Sequence, residues 1–363
     1  MTFLVLTLTL VSAVIPSGFS SPWQPAAAPQ AGTPAAYDRG TWRAHIRDTW
    51  TQKDGEVWTS IRLYADSDRE MSLSVPVRSL EGLAGAGERL TAADTTFTVR
   101  RDAGQFAFKG SFTDGRGTGT WQFTPNAEFV AAMRQNYPAM TPEQLLKLAA
   151  LDVSRSFVAE IRGEGYTTAS LDEIAKMRIH RVDAQYIREM RAAGYDKLSV
   201  AELVKTRIHG ATPAFAQDLK AAGLAPLPVD DLVKMRIHGV SAELVREMKA
   251  LGYASLDAAA LVKMRIHGVS PAFVRDLRTL GYTNVRPDQL VKLRIHGVTT
   301  EYVTELQGLG YRDIPVDDLV RMRIHGVTPA FVKDVQAAGF KDMSPSDLVD
   351  FSIHGKRWLR KRG

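Results

Sequence analysis

From Thr141 to His354 apolar residues fall at helical spacing in short blocks, and the blocks recur every 29 residues. In the copy from Gly268 to His296, Phe273, Val274, Leu277 and Leu280 form one stripe, and Leu290 and Ile295 belong to a second. Ser270-Pro271 is an N-cap followed by a first-turn proline, and Gly281 ends that helix. The next residue, Tyr282, suits the C″ place of a Schellman ending, as do Tyr166, Tyr195, Leu224, Tyr253, Tyr311 and Phe340 in other copies. The second helix starts most clearly at Ser199 with Glu202, a capping box in which Leu198 staples onto Leu203. Ser170 with Glu173 and Thr141 with Gln144 repeat the box, whereas Pro228, Arg286 and Pro315 bring no side-chain acceptor. Helices of about ten residues, roughly 15 Å long, are unstable alone in water, so the copies must stack.

Eight second helices and seven first helices are expected, because the array opens with the unpaired helix Pro142 to Leu151. The opening copy has Leu151 and Asp152 where later ones have His and Gly, and the last has Asp350, Phe351 and Ser352 in place of Lys, Met and Arg. Divergent end copies are what capping a solenoid requires.

Upstream the period changes to two. Alternating runs begin at Thr41, Val57, Met71 and Thr96, and two more strands flank the hairpin signal Asp114-Gly115-Arg116-Gly117. About six antiparallel strands make a small sandwich or curved sheet, with Trp42, Phe97, Phe106, Phe108, Phe112, Trp121 and Phe123 as its core. The fold class is therefore α+β: an antiparallel β domain at 40–125, a connecting helix at 126–140, and an α-solenoid of 29-residue helix hairpins at 141–354.

Residues 1–20 carry one apolar run, Phe3 to Ile15, closed by Pro16 and small residues. That is the length of a signal peptide and short for a membrane span, although no basic n-region precedes it. An export signal is the favoured reading, with a mature start between Ser21 and Pro29; a remnant of a longer membrane segment is the alternative. Residues 21–39 read as a Pro/Ala-rich linker. The absence of cysteine removes thiol chemistry and disulfides and leaves the compartment open. Of the net +6, the basic tail at 355–363 supplies most through Lys356, Arg357, Arg360, Lys361 and Arg362, so the array itself is near neutral. The tail and the N-terminal segment are the two places where membrane contact is expected.

Seven of the eight histidines, His180, His209, His238, His267, His296, His325 and His354, follow one another at the same interval inside an RIHG-like string. Neighbouring helices stand about 8–10 Å apart, too far for successive imidazoles to share one zinc at about 2.1 Å. The expected role is structural, each histidine closing its helix before the left-handed glycine, and no metal or cofactor is expected. Arg178, Arg207, Arg236, Arg265, Arg294 and Arg323 recur with Glu189, Asp218, Glu247, Asp276 and Glu305, which predicts a ladder of Arg–carboxylate pairs. Lys176, Lys205, Lys234, Lys263, Lys292 and Arg321, together with the histidines, then form the candidate interaction edge. One cation per copy is also the pattern of a polyanion binder, but acids at the same period argue against nucleic acid.

The strings FxGxFxDGRGxGTWxFxP, Phe108 to Pro125, and LxxLRIHGVTPxFVxxLxxLGY, in successive copies, resemble the carboxy-terminal extracytoplasmic region attached to bacterial membrane metallopeptidases of the beta-lactam-sensor (BlaR/MecR) type. The resemblance covers Gly40 to His354 and implies the architecture and an exported location. Those peptidases carry an HExxH zinc helix, which is absent here, so neither proteolysis nor zinc follows. The expectation is a non-catalytic, sensor-associated or interaction module whose solenoid binds an envelope protein or polymer. The alternatives are an extracytoplasmic fragment of such a peptidase and a polyanion-binding or purely structural envelope protein.

Overall fold

A computed structural model describes residues 38–45, 50–51, 55, 57–65, 69–83 and 90–355. The N-terminal apolar run read as an export signal, nearly all of the linker and the basic tail from residue 356 lie outside them.

Seven strands form one antiparallel sheet: β1 Arg39–His45, β2 Trp50–Thr51, β3 Val57–Ala65, β4 Glu70–Pro76, β5 Ala92–Arg101, β6 Gly104–Thr113 and β7 Arg116–Pro125. Their order is β4-β3-β1-β7-β6-β5, with the short β2 also on β3. The alternation is real on one face only, and that face curls around Trp42. Phe97 and Phe108 meet its ring edge-on at 5.3 and 5.9 Å, and its indole N–H donates to the Lys109 carbonyl at 3.2 Å. All seven aromatic core candidates are buried, so the curved sheet is the form taken and no second sheet is needed. Gly117 makes room for this packing, because a Cβ there would run into the rings of Phe112 and Trp42.

The connecting helix α1 Ala127–Asn136, capped by Asn126, leads to fifteen helices from α2 Pro142–Ala150 to α16 Pro345–His354. Eight are second helices and seven are first helices, nearly all nine residues long. Each type packs on its own kind in the neighbouring copy, giving a two-layer solenoid. The capping boxes at Thr141, Ser170 and Ser199 form, and Pro228 and Pro315 offer no side-chain cap. At Arg286 the box is half made, with Gln289 Oε1 accepting the Arg286 N–H at 3.1 Å. Every described second helix that ends in the repeat string closes with His as the C-cap. The residue after it is left-handed, and a buried Val or Ala then returns its N–H to the helix, as Val298 does to Leu293 at 2.9 Å. Among the described residues no helix is long and apolar enough to cross a membrane.

One hydrophobic core runs from Trp42 through Phe129 of α1 to Leu203, so the sheet and the first copies are packed together. Two neighbours at the end of β5 fix the junction. Arg101 reaches Asp152 at 3.0 Å, while Asp102 takes the Arg155 guanidinium at 2.8 Å and its backbone N–H at 2.7 Å. The divergent Asp152 of the opening copy thus does more than close an end of the solenoid: it docks the β domain. At the other end Asp350, in the lysine place, lies 3.8 Å from Arg321, and Ser352, in the arginine place, donates to the His325 carbonyl at 2.8 Å. Phe351 fills the room left by that arginine, 6.0 Å from Phe331.

Candidate functional site: the second-helix edge and the junction

The arginine series does not pair with the first-helix acids. Among the described residues none of Arg178, Arg207, Arg236, Arg265, Arg294 and Arg323 forms an ion pair with Glu189, Asp218, Glu247, Asp276 or Glu305. Glu247 instead meets Arg275 at 3.3 Å, and Glu189 accepts from Gln185 at 2.8 Å. The arginines turn inward, onto the aromatic ring of the first helix in their own hairpin. Arg178 lies 5.7 Å from the centre of Phe157, Arg207 4.3 Å from Tyr186, Arg236 5.3 Å from Phe215, Arg294 5.0 Å from Phe273 and Arg323 4.9 Å from Tyr302. Arg265 has Leu244 at that place and so no ring.

The same guanidiniums press on the end of the preceding second helix. Arg178 Nε donates to the Leu151 carbonyl at 3.1 Å, and Arg207 Nε to the Arg181 carbonyl at 3.0 Å. A Cβ on Gly268 would come within 3.2 Å of Arg294 Nη2, so that glycine answers both to its φ of 71° and to a close neighbour. The preference over carboxylates has a simple cause. The last carbonyls of a helix have no partner within it, and an aromatic face beside them holds the cation without removing it from water altogether.

The ladder exists, but the lysines make it. Lys147 meets Asp172 at 2.7 Å, Lys205 meets Asp230 at 2.5 Å and Lys292 meets Asp317 at 2.6 Å, each time one copy further on. Hydrogen bonds from these lysines hold Asp172 and Asp230 below the usual carboxylate range. The rung is missing where the next copy offers Ala201 after Lys176 and Ala259 after Lys234; Lys234 turns to Asp231 of its own helix at 3.2 Å. Asp288, the corresponding acid for Lys263, is taken by Arg286 at 3.3 Å. The lysine edge is therefore tied between copies at Lys147, Lys205 and Lys292, while among the described residues Lys176, Lys234 and Lys263 make no such rung.

The isoleucine beside each histidine is the surprise. Ile179, Ile208, Ile237, Ile266, Ile295, Ile324 and Ile353 are 49–55% exposed, so Ile295 and its counterparts are not packing residues. Spacing places Lys292, Ile295 and His296 on one helical face at i, i+3 and i+4, and that face looks outward. His180, His267 and His296 are half-buried, whereas His209, His238 and His325 are exposed. Among the described residues no three His, Cys, Asp or Glu side chains converge as a metal ion would need.

Two sets of contacts between copies carry sequence signals that the periodic reading leaves unused. Long donors at one first-helix position reach back to the C-cap carbonyl of the previous first helix. Lys249 reaches Ala222 at 2.9 Å, Gln307 reaches Leu280 at 2.9 Å, Gln336 reaches Leu309 at 3.0 Å, and Arg278 reaches Leu251. Arg191 bonds the Glu164 carbonyl at 3.3 Å, and its hydrogen bond and that of Arg188 hold the Glu164 carboxylate below its ordinary pKa. Tyrosines of the Schellman turns reach forward to the residue before the second-helix N-cap of the following copy: Tyr166 to Leu198 and Tyr253 to Val285 at 2.7 Å, Tyr282 to Ile314 at 2.9 Å.

No known family model matches the chain, and no curated protein matches it.

Proposed function

We propose that this protein is a non-catalytic binding module that works outside the cytoplasm and engages an envelope protein or polymer along the outer face of its second helices. The observation that carries the reading is the isoleucine row. Single exposed apolar residues are ordinary on any surface, but seven at one structural position, on a helix end where the exposed cation and histidine recur as well, form a line that folding does not require. Lys–Asp rungs and imidazoles flank it as a polar rim.

The spacing favours an extended chain as partner. Stacked helices repeat about every 8–10 Å. In a polyproline II segment every third side chain returns to the same face after roughly 9 Å, at about 3.1 Å per residue. Location outside the cytoplasm rests on the apolar run Phe3 to Ile15 and on the strings that resemble the region attached to beta-lactam-sensor peptidases. Replacing Ile237, Ile266 and Ile295 by Ser removes the centre of the row from half-exposed places. The variant should keep its thermal stability and lose capture of the envelope component that the wild-type protein retains from a native envelope fraction. Equal capture by the variant overturns the reading.

A further inference from the structure

We propose that the crevice between the β-sheet and the first copies of the array is a binding site for a small organic oxyanion, a carboxylate or phosphate group on an apolar body, gripped by Arg101, Arg178, Arg181 and Arg207.

The crevice has a volume of about 610 Å³ and lies where two structural units meet, a common place for small-molecule sites. Four guanidiniums line it against two carboxylates, Asp152 and Asp183. Both acids are already engaged: Asp152 Oδ2 is shared by Arg101 at 3.0 Å and Arg178 at 2.9 Å, and Asp183 caps a helix by accepting the Tyr186 N–H at 2.8 Å. Positive charge is left over. The Arg101 side chain is only 9% exposed; its Nη2 donates to the Ser74 carbonyl at 2.7 Å, and its Nε is buried with no hydrogen-bond partner, as are those of Arg278, Arg294 and Arg323 in the array. Desolvation lowers the Arg101 pKa, and neighbouring Arg178 adds to the effect, while Asp152 opposes them. A second oxyanion in the crevice would relieve that crowding with paired N–H donors of the kind that fit carboxylate and phosphate. Trp58, Leu151, Phe157 and Ile179 supply an apolar wall for the rest of the ligand.

Backbone conformation singles out the same place. From Gly210 to Gly326 the residue after each C-cap histidine is a left-handed glycine. Only at Asp152, with φ 56°, and Arg181, with φ 55°, does a side chain occupy this position, and both side chains line the crevice. A left-handed conformation is strained for a non-glycine residue, so the two substitutions carry a burden the other copies avoid. Docking of the β domain accounts for Asp152. It does not account for Arg181, an exposed cation set beside a second one, Arg207, whose Nε donates to the Arg181 carbonyl at 3.0 Å.

The test is calorimetric titration of the full chain with phenyl phosphate, phenylacetate and inorganic phosphate, followed by the Arg181→Gly variant. Arg181→Gly restores the residue of the other copies, so it should fold at least as well as the parent. Expected are one-to-one binding of phenyl phosphate or phenylacetate that weakens with added salt, weaker binding of inorganic phosphate, and a loss of affinity on the order of tenfold in Arg181→Gly at undiminished Tm. The preferred aryl probe identifies the oxyanion. Absence of binding by both aryl probes, or unchanged affinity in Arg181→Gly, overturns the proposal.

Discussion

Arg101 and Arg178 share one oxygen of Asp152, at 3.0 and 2.9 Å, so a residue at the end of β5 and a residue of the second copy are held by a single carboxylate of the first. The residue that supplies it sits in a left-handed conformation that every later copy gives to glycine, except for Arg181. Two glycine substitutions with the same backbone benefit should therefore diverge. Arg181→Gly relieves strain and loses no hydrogen bond made by the side chain, and should stabilise by about 0.5–1 kcal/mol. Asp152→Gly relieves the same strain but leaves Arg101 buried without its counterion, and should cost about 2–3 kcal/mol, the partial exposure of Asp152 tempering a larger loss. Denaturant melts of the two variants check the signs; a stabilised Asp152→Gly would refute the docking role.

Removing the phenol oxygen of Tyr253 should separate its two duties. In Tyr253→Phe the ring still fills the Schellman turn, but the Val285 carbonyl, bonded at 2.7 Å, loses its donor from the preceding copy. A loss of about 1 kcal/mol is expected. Leu224 and Phe340 already stand in this place without a hydroxyl, so the same change at Tyr253 should leave the helical signal in circular dichroism intact while lowering the denaturation midpoint.

What was legible in the sequence is whatever is settled within a few residues. Ser199 with Glu202, Ser270 with Pro271, and the left-handed Gly268 announce themselves because cap chemistry acts over one turn. The α+β architecture followed from the change from alternation, which runs to Pro125 across the Asp114 hairpin, to helical spacing from Thr141. Contacts between copies were not legible. Lys292 to Asp317 and Tyr253 to Val285 depend on how one hairpin is rotated over the next, and a repeat length leaves that rotation open. Since the acids of both helices share one period, Asp276 looked as good a partner for the arginines as any carbonyl. Ile295 was misread for a different reason. At 100° per residue it stands about 140° round the helix from Leu290, off the buried stripe, so its exposure was there to be found.

The two cation series should now respond in opposite degree. Arg294 stacks on Phe273 and covers the end of the preceding helix, so Arg294→Gln should cost about 1–2 kcal/mol. Lys292 and Asp317 form a largely exposed pair, and Lys292→Gln should cost no more than about 0.5 kcal/mol, shrinking further in high salt. Arg294→Lys is the discriminating control, because it keeps the charge and loses the planar fork; stability at the wild-type level would mean that charge alone matters there.

Stability should fall at both ends of the pH scale, for different groups. Asp102 feels burial, which raises its pKa, but the side-chain and backbone hydrogen bonds from Arg155 outweigh it, so the carboxyl stays ionised below its ordinary range. Lys147 does the same for Asp172. For such groups the unfolded chain binds the proton more readily, so their contribution is complete above the ordinary carboxylate pKa of about 4 and is lost as pH drops below it. Asp102→Asn should flatten the acid limb of a Tm profile. Tyrosine works in the other direction. Burial pushes Tyr302 and Tyr282 up to about 12, so the native state resists losing a proton that the unfolded chain releases near 10. Their contribution is complete below about pH 10 and is lost as pH rises from there toward 12. Ultraviolet titration should show these two phenols ionising late, and Tyr302→Phe should remove part of the alkaline slope; an unchanged slope in both Tyr302→Phe and Tyr282→Phe would place the alkaline loss elsewhere.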